Sequence, residues 1–152
     1  MRQLNIRPAT QDDLQNVVEL FIKVFNQEPW NDNWSKEHAE QYLNDYILSP
    51  GFNGVIAEDE SSCIQGFIFG IRKRWWDGDE LFIHEMCVNT DLQRSGIGAA
   101  LLKELADIVS KEGIVRFTLL TNKGIPAESF YKKQGFEEID RLIFMYKELG
   151  SD

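Results

Sequence analysis

Apolar residues recur along this chain with two periods. Leu14, Val17, Val18, Phe21, Ile22 and Phe25 follow helical spacing, which predicts an amphipathic helix over 11–25. Thr10 stands at the N-cap position, and Asp12 and Asp13 in the first turn suit the positive end of the helix dipole. A second helix is expected from Ser35 as N-cap. Ala39, Tyr42, Leu43, Tyr46 and Ile47 form its apolar face, and Ser49-Pro50-Gly51 stops it. His38 falls in its first turn as a surface residue. Ile97, Leu101, Leu102, Leu105, Ile108 and Val109 predict a third helix over 97–111, broken by Gly113, and Pro126 suits the first turn of a short fourth one ending near Gly135.

Between these helices lie short runs rich in β-branched and aromatic residues. Leu4–Arg7 reads as a strand stopped by Pro8. Phe52–Glu58 and Cys63–Ile71, joined by the polar Asp59-Glu60-Ser61-Ser62, read as an antiparallel hairpin. Gly66 and Gly70 inside it mark bulges or close packing. Leu81–Val88 is the central strand, and Ile114–Thr121 follows the third helix, so strand, helix and strand make a right-handed unit with parallel strands. Phe136–Ile139 and Leu142–Tyr146 are expected as closing strands, and 150–152 as a frayed tail. The pattern predicts an α/β fold on a mixed sheet, with irregular loops at 26–34 and 72–80.

At 152 residues the chain is expected to form a single domain over 1–152, with a substantial core. No apolar run approaches membrane-spanning length and no signal-peptide core precedes the first strand. Cys63 and Cys87 lie in strand-like segments and read as buried, reduced thiols, which suits a cytoplasmic location, with a disulfide or a nucleophile as the alternatives. Two histidines and two cysteines, dispersed, make a poor metal-ligand set. The net charge of −9 argues against nucleic acid as a partner and is compatible with a cationic small molecule.

The chemistry-bearing stretch is Gln93-Arg94-Ser95-Gly96-Ile97-Gly98, between the central strand and the third helix. Glycines there let a ligand approach the backbone, with the free N–H groups of the first helical turn facing it, which suits a pyrophosphate. The glycines alone are equally compatible with close helix–strand packing. A dinucleotide fingerprint needs a third glycine where Leu101 stands, and no Gly-Lys-Ser/Thr follows for a nucleotide P-loop.

On the central strand, flat alternation puts His84, Met86 and Val88 on one face and Glu85 and Cys87 on the other. Burying His84 or Glu85 costs free energy unless each is paired or faces a cleft. Their readings are a satisfied hydrogen bond at the strand end, or proton-acceptor and substrate-binding work. Trp30 and Trp34 either fasten their loop to the core or wall a pocket in which Glu28 or Asp32 meets a cation. Trp75 and Trp76, adjacent on a loop, cannot both be core, and at least one is expected at a ligand cleft or partner surface.

Gln93-x-x-Gly96-x-Gly98 after Val88, followed by Asn122, Ala127, Phe130-Tyr131 and Gly135-Phe136, resembles the two signature segments of the GCN5-related N-acetyltransferase (GNAT) superfamily. The resemblance covers residues 81–146. It implies a mixed, mostly antiparallel sheet of about six to seven strands flanked by about four helices, the fourth and fifth strands parallel and splayed. It further implies acetyl-CoA as co-substrate, with pantetheine along Met86, Cys87 and Val88 and the pyrophosphate on the backbone of Gln93, Arg94, Ser95, Gly96, Ile97 and Gly98, with Ala99 next. Asn122 matches a position that contacts the cofactor or caps the following helix. Tyr131 matches a tyrosine near the coenzyme A sulfur, hence a general acid. Family members commonly carry an acidic residue at position 84 or 85, so the base is His84 or Glu85; only one of them faces the cleft unless the strand is bulged, as family strands often are here. The function implied is N-acetyl transfer to a primary amine, expected to be a small cation such as a polyamine, aminoglycoside or amino-acid-like compound. Alternatives are a protein or peptide amine as acceptor, or a non-catalytic acyl-CoA-binding domain. Family proteins often pair, which leaves a homodimer open.

Overall fold

The computed structural model describes residues 3–150. They divide into two compact units, one ending at Leu120 and the other beginning at Thr121. The first contains β1 (Asn5–Pro8), a 3-10 turn at Gln11–Asp13, α1 (Leu14–Phe25), α2 (Lys36–Ile47), β2 (Phe52–Glu58), β3 (Ile64–Lys73), β4 (Asp79–Val88), a second 3-10 turn at Thr90–Leu92, α3 (Ile97–Ser110) and β5 (Ile114–Leu119). Its sheet has the order β1-β2-β3-β4-β5, antiparallel throughout except for the parallel β4–β5 pair. Pro8 does not stop β1 but pairs within it, opposite Val55. An edge strand tolerates the missing N–H.

Alternation along the strands sorts the core into two layers. Ile56, Phe67 and Phe69 join Leu14, Val17, Val18 and Phe21 of α1 and Ala39 and Leu43 of α2 in one buried cluster. Gly66 lies on the opposite face, where a Cβ would stand 3.0 Å from Ile97 Cγ2 and 3.3 Å from Leu101 Cδ1 of α3. The sheet is therefore sandwiched between α1 and α2 on one side and α3 on the other. Leu101 and Leu105 are fully buried.

Ion pairs tie the edges of this layer together. Arg7 donates to Asp13 through Nη2 at 2.7 Å and Nη1 at 2.9 Å, and to Glu58 through Nε at 2.9 Å. Burial alone would push the Asp13 carboxyl up. Hydrogen bonds from Arg7 and Thr10, with the Arg7 charge, outweigh it and hold the group below its ordinary value. Glu58 is lowered by its hydrogen bonds from Arg7 and Asn5.

The second unit contains α4 (Pro126–Lys133), with Pro126 in its first turn. The helix ends at Gly135, whose φ of 97° lets the Phe136 N–H donate back to Tyr131 O at 3.0 Å. The two closing strands expected at Phe136–Ile139 and Leu142–Tyr146 are not formed, so the described residues hold five strands, fewer than the six to seven expected. A strand exists through its ladder of hydrogen bonds. Apolar residues at 142–146 have no such ladder, and Ile143, Phe144, Met145 and Tyr146 are exposed. Cys63 also departs from expectation. It lies exposed just before β3, whereas Cys87 is buried, and both are free thiols. The expected fraying of the tail falls at Ser151 and Asp152 outside the described residues.

Two outcomes follow for stability. Leu101→Ala should lower the unfolding free energy by about 2–5 kcal/mol in urea titrations, because α3 cannot collapse onto a sheet face already in contact with it. Arg7→Met should cost about 1 kcal/mol at neutral pH, given the partial exposure of its pairs. Asp13 and Glu58 have lowered folded-state values, so their contribution is present above the ordinary carboxylate range and lost as pH falls through the lowered values. The gap between wild type and Arg7→Met should close as pH drops below about 4.

Candidate functional site

The site is built around an irregularity in β4. Phe69 pairs with Glu85, but the next β3 residue, Gly70, pairs with Ile83, so His84 is an extra residue without a counterpart. This β-bulge breaks the alternation that would send His84 and Glu85 to opposite faces. Both side chains consequently meet the same helix, α2. The His84 ring stacks on Tyr46 at 4.6 Å with 25° between the planes, and the Tyr42 hydroxyl donates a short hydrogen bond to Glu85 Oε2.

Tyr42 and Tyr46 lie one turn apart on α2, with Tyr46 donating to the Tyr42 hydroxyl at 3.2 Å. Their rings continue an aromatic file. Tyr42 packs on Trp34 at 5.0 Å and on Phe21 at 5.8 Å, and Trp34 packs on Phe21 at 5.1 Å. The loop before α2 is pinned by Asn26, which accepts from the Trp34 N–H at 2.9 Å and donates to its carbonyl at 3.1 Å. The Trp34 indole N–H donates to Asp32 Oδ2 at 3.0 Å. Ser35 caps α2 by accepting from the His38 N–H at 3.0 Å, which sets the register that presents both tyrosines to β4.

The electrostatics of the file follow from its partial burial, with Tyr42 and Glu85 half-buried and Asp32 and His84 exposed. Burial pushes the Glu85 carboxyl up to about 7, the Tyr42 hydrogen bond pulls the other way, and the charge on Asp32 adds to the rise. Burial, then the Glu85 charge, lifts the Tyr42 phenol well above its ordinary value, so it remains a donor. Desolvation lowers His84, which is therefore a neutral imidazole at pH 7. Burial, reinforced by Glu85, raises the Cys87 thiol, which excludes a thiolate nucleophile there at neutral pH. A carboxyl near 7, walled by aromatic faces and next to a second acid, can take a proton from a cation that it also attracts.

Beyond the bulge, β4 runs on past the end of β5. Their pairing ends at Ile83 opposite Leu119, whereas β4 continues to Val88, so among the described residues the 84–88 backbone is unpaired on that side. The loop that follows is firmly anchored. Asn89 donates to Gln65 at 2.9 Å and accepts from Lys23 at 3.2 Å, Gln93 donates to the Val88 carbonyl at 3.3 Å, and Ser95 donates to the Leu92 carbonyl. Arg94 and Gly96 take left-handed φ values of 71° and 88° to start α3. A Cβ on Gly96 would meet nothing within 4 Å, so the backbone there faces open space. Ala100 is the first α3 residue bonded back, to the Gly96 carbonyl at 3.0 Å. The N–H groups of Ile97, Gly98 and Ala99 find no acceptor among the described residues. Unpaired strand backbone beside free helix N–H groups fits an amide-bearing arm that ends in phosphates.

Of the residues singled out in the sequence, Asp32, Trp34, His84 and Glu85 are thus gathered around α2. Trp30 packs on Phe25 at 4.9 Å at the edge of the same cluster, and Glu28 is exposed in the loop. Trp75 and Trp76 lie in the β3–β4 loop at the far end of β4. Trp76 is almost fully exposed, and Trp75 lies under the Lys73 ammonium at 4.6 Å. Asn122 and Tyr131 belong to the second unit, where Asn122 is exposed and Tyr131 packs between Phe130 and Phe136 at 5.3 and 5.4 Å. Sequence reasoning missed Tyr42 and Tyr46, placing them only on an apolar face. The available signal was that a tyrosine on a buried face must bring its hydroxyl to a polar partner.

The description of the acetyltransferase (GNAT) family matches residues 14–136. An uncharacterized N-acetyltransferase of Methanocaldococcus jannaschii is 29% identical over 148 residues, which is 91% of this chain but only 62% of that protein. The thialysine N-epsilon-acetyltransferase of Sus scrofa is 21% identical over 150 residues, covering 91% of this chain and 87% of that one. Among solved structures, the aminoglycoside N-acetyltransferase AAC(6')-Iy in complex with CoA superposes with a TM-score of 0.73 at 16% identity, covering 98% and 97% of the two chains. With a mixed sheet in which β4 outruns its parallel neighbour β5, and a glycine-started α3 beyond it, this chain belongs to the acetyltransferase (GNAT) family, whose acetyl donor is acetyl-CoA.

Proposed function

We propose that the chain acts as one catalytic domain over 1–152 and acetylates the primary amine of a small cationic acceptor, of the polyamine, aminoglycoside or amino-acid-like kind. The observation that carries this reading is Glu85, a carboxyl lifted to about 7, set in an aromatic wall, with Oε2 held by Tyr42. Acetyl-CoA supplies the acetyl group as a thioester open to direct attack by a neutral amine. The unpaired backbone of Met86, Cys87 and Val88 would hold its amide-bearing arm, and the backbone from Gln93 to Ala99 its phosphates, with Arg94 adding charge. Asn122 and Tyr131 are assigned to the same task through their match to the family's second signature segment, and the family match runs across both units.

Glu85 is the base in this reading, in preference to His84. An alkylammonium has a pKa of about 10, so an acceptor arrives charged and must lose a proton before it can attack. Glu85 attracts that charge and then takes the proton at Oε1. His84, stacked on Tyr46 and tilted against Phe82, walls the approach. Asp32 and Trp34 supply a second acid and an aromatic face for the ammonium. Tyr131 carries the phenolic proton needed by the departing thiolate. Relatives whose names specify thialysine and an aminoglycoside support a small amine as the acceptor. The free thiols suit a reducing cytoplasm, and no described helix is long and apolar enough to cross a membrane.

Release of free thiol from acetyl-CoA, measured with a panel of polyamines, aminoglycosides, amino acids and peptides, tests this. Acceptor-dependent release is expected with one of the small cations. Glu85→Gln should lower kcat/KM by about 10²–10⁴-fold and Tyr131→Phe by about tenfold or more. No release with any amine, in a protein that binds acetyl-CoA, would favour a binding domain. Full activity in Glu85→Gln would move the base elsewhere.

A further inference from the structure

Tyr42 stands at a junction that the proton-acceptor reading of Glu85 leaves without a role. Its hydroxyl carries a single proton, directed to Glu85 Oε2, and its oxygen accepts the proton of Tyr46 at 3.2 Å. The order of donors is therefore set, from Tyr46 to Tyr42 to Glu85, because an ionised carboxylate can only accept. The Tyr42 ring has little freedom, with Trp34 at 5.0 Å, Phe21 at 5.8 Å and Tyr46 at 5.0 Å edge-on. Among the described residues Glu85 Oε1 accepts no hydrogen bond.

We propose that Tyr42, oriented by Tyr46, is the positioning residue for Glu85. It holds Oε2 in place and leaves Oε1 as the oxygen that receives the ammonium proton of the acceptor. The proposal rests on Glu85 being the proton acceptor. The proton moves from the acceptor nitrogen to Oε1, while Tyr42 keeps its own proton throughout. A donor fixed on one oxygen does two things. It orients the carboxylate so that the free oxygen faces a single approach, and it stabilises the ionised form where half-burial leaves water less able to do so. Two groups on other elements bear on the same carboxyl: Asp32 from the loop before α2, whose negative charge opposes ionisation, and Tyr42 itself from α2. On β4, Cys87 is an uncharged thiol and His84 an uncharged ring. Removing the Tyr42 hydroxyl thus leaves burial and Asp32 acting together, and both favour the protonated form that cannot serve as a base.

The test pairs a spectroscopic and a kinetic readout. Glu85 ionisation is followed by carboxyl ¹³C NMR, assigned through Glu85→Gln, in wild type, Tyr42→Phe and Tyr46→Phe. The pH dependence of kcat/KM is measured on the same proteins with whichever amine the panel identifies. Phenylalanine keeps the ring contacts, so the fold should persist, which circular dichroism checks. Wild type should titrate near 7. Tyr42→Phe should raise the midpoint by about half a pH unit or more and carry the acid limb of kcat/KM upward with it, activity recovering at higher pH. Tyr46→Phe should shift both in the same direction by less. An unmoved or lowered midpoint in Tyr42→Phe overturns the proposal, as does a uniform drop in rate with the limb in place. Failure of the Glu85 reading looks different: the midpoint moves, but Glu85→Gln retains the wild-type rate.

Discussion

A carboxyl carried within a central strand has to be compensated, and much of this site is the compensation. Glu85 lies half-buried where β4 is covered by α2, and an ionised group there is disfavoured unless hydrogen-bonded. The bulge at His84 turns the carboxyl toward α2, and Tyr42 meets it. The result is a carboxyl balanced near 7 rather than one locked in either state. Without the extra residue, His84 and Glu85 would point to opposite faces, and only one of them could reach the aromatic file.

The same stretch of strand serves a second purpose. Past Ile83, β4 loses its β5 partner but keeps its β3 partner through to Val88 opposite Gly66. The strand is held in place by one neighbour and open to the other. Gly66 lets α3 lie close on the opposite face, and the start of that helix brings its free N–H groups beside the open backbone. A bulged strand with one free edge therefore links the acid that handles a proton to the surface that fits a phosphate-bearing arm. The anchored loop from Asn89 to Gly96 keeps the two at a fixed spacing.

The acidity of the chain has local meaning as well. Many of its acids are consumed in pairs, such as Asp13 and Glu58 with Arg7, Asp79 with Arg72, and Glu80 with Arg116 at 2.7 Å. Those pairs hold the sheet edges. Among the described residues Glu85 and Asp32 have no cationic hydrogen-bond partner; their partners are aromatic, Tyr42 and the Trp34 indole. An acid whose partner is neutral keeps its attraction for a cation from outside.

Much of this was legible in the residues themselves. Helical spacing located α1, α2, α3 and α4, because a face that repeats every three to four residues is a local property. The hairpin, the βαβ unit and the glycine-started loop follow from turn chemistry and strand length, and the two signature segments point to the family. What only the tertiary structure decided are features that depend on a partner distant in sequence. The bulge is defined by the register of β3 against β4: alternation placed His84 and Glu85 on opposite faces, the family resemblance left a bulge open, and the pairing of Phe69 with Glu85 and Gly70 with Ile83 decided it. The apolar positions at 136–146 suggested strands but have no ladder, since pairing is supplied by a neighbour and not by the segment. Tyr42 and Tyr46 looked like core residues because they fall on the apolar face of α2, where they are in fact half-buried. The polar task of their hydroxyls became visible only when α2 was laid across β4, 43 residues further along the chain, where a carboxyl was waiting for a donor.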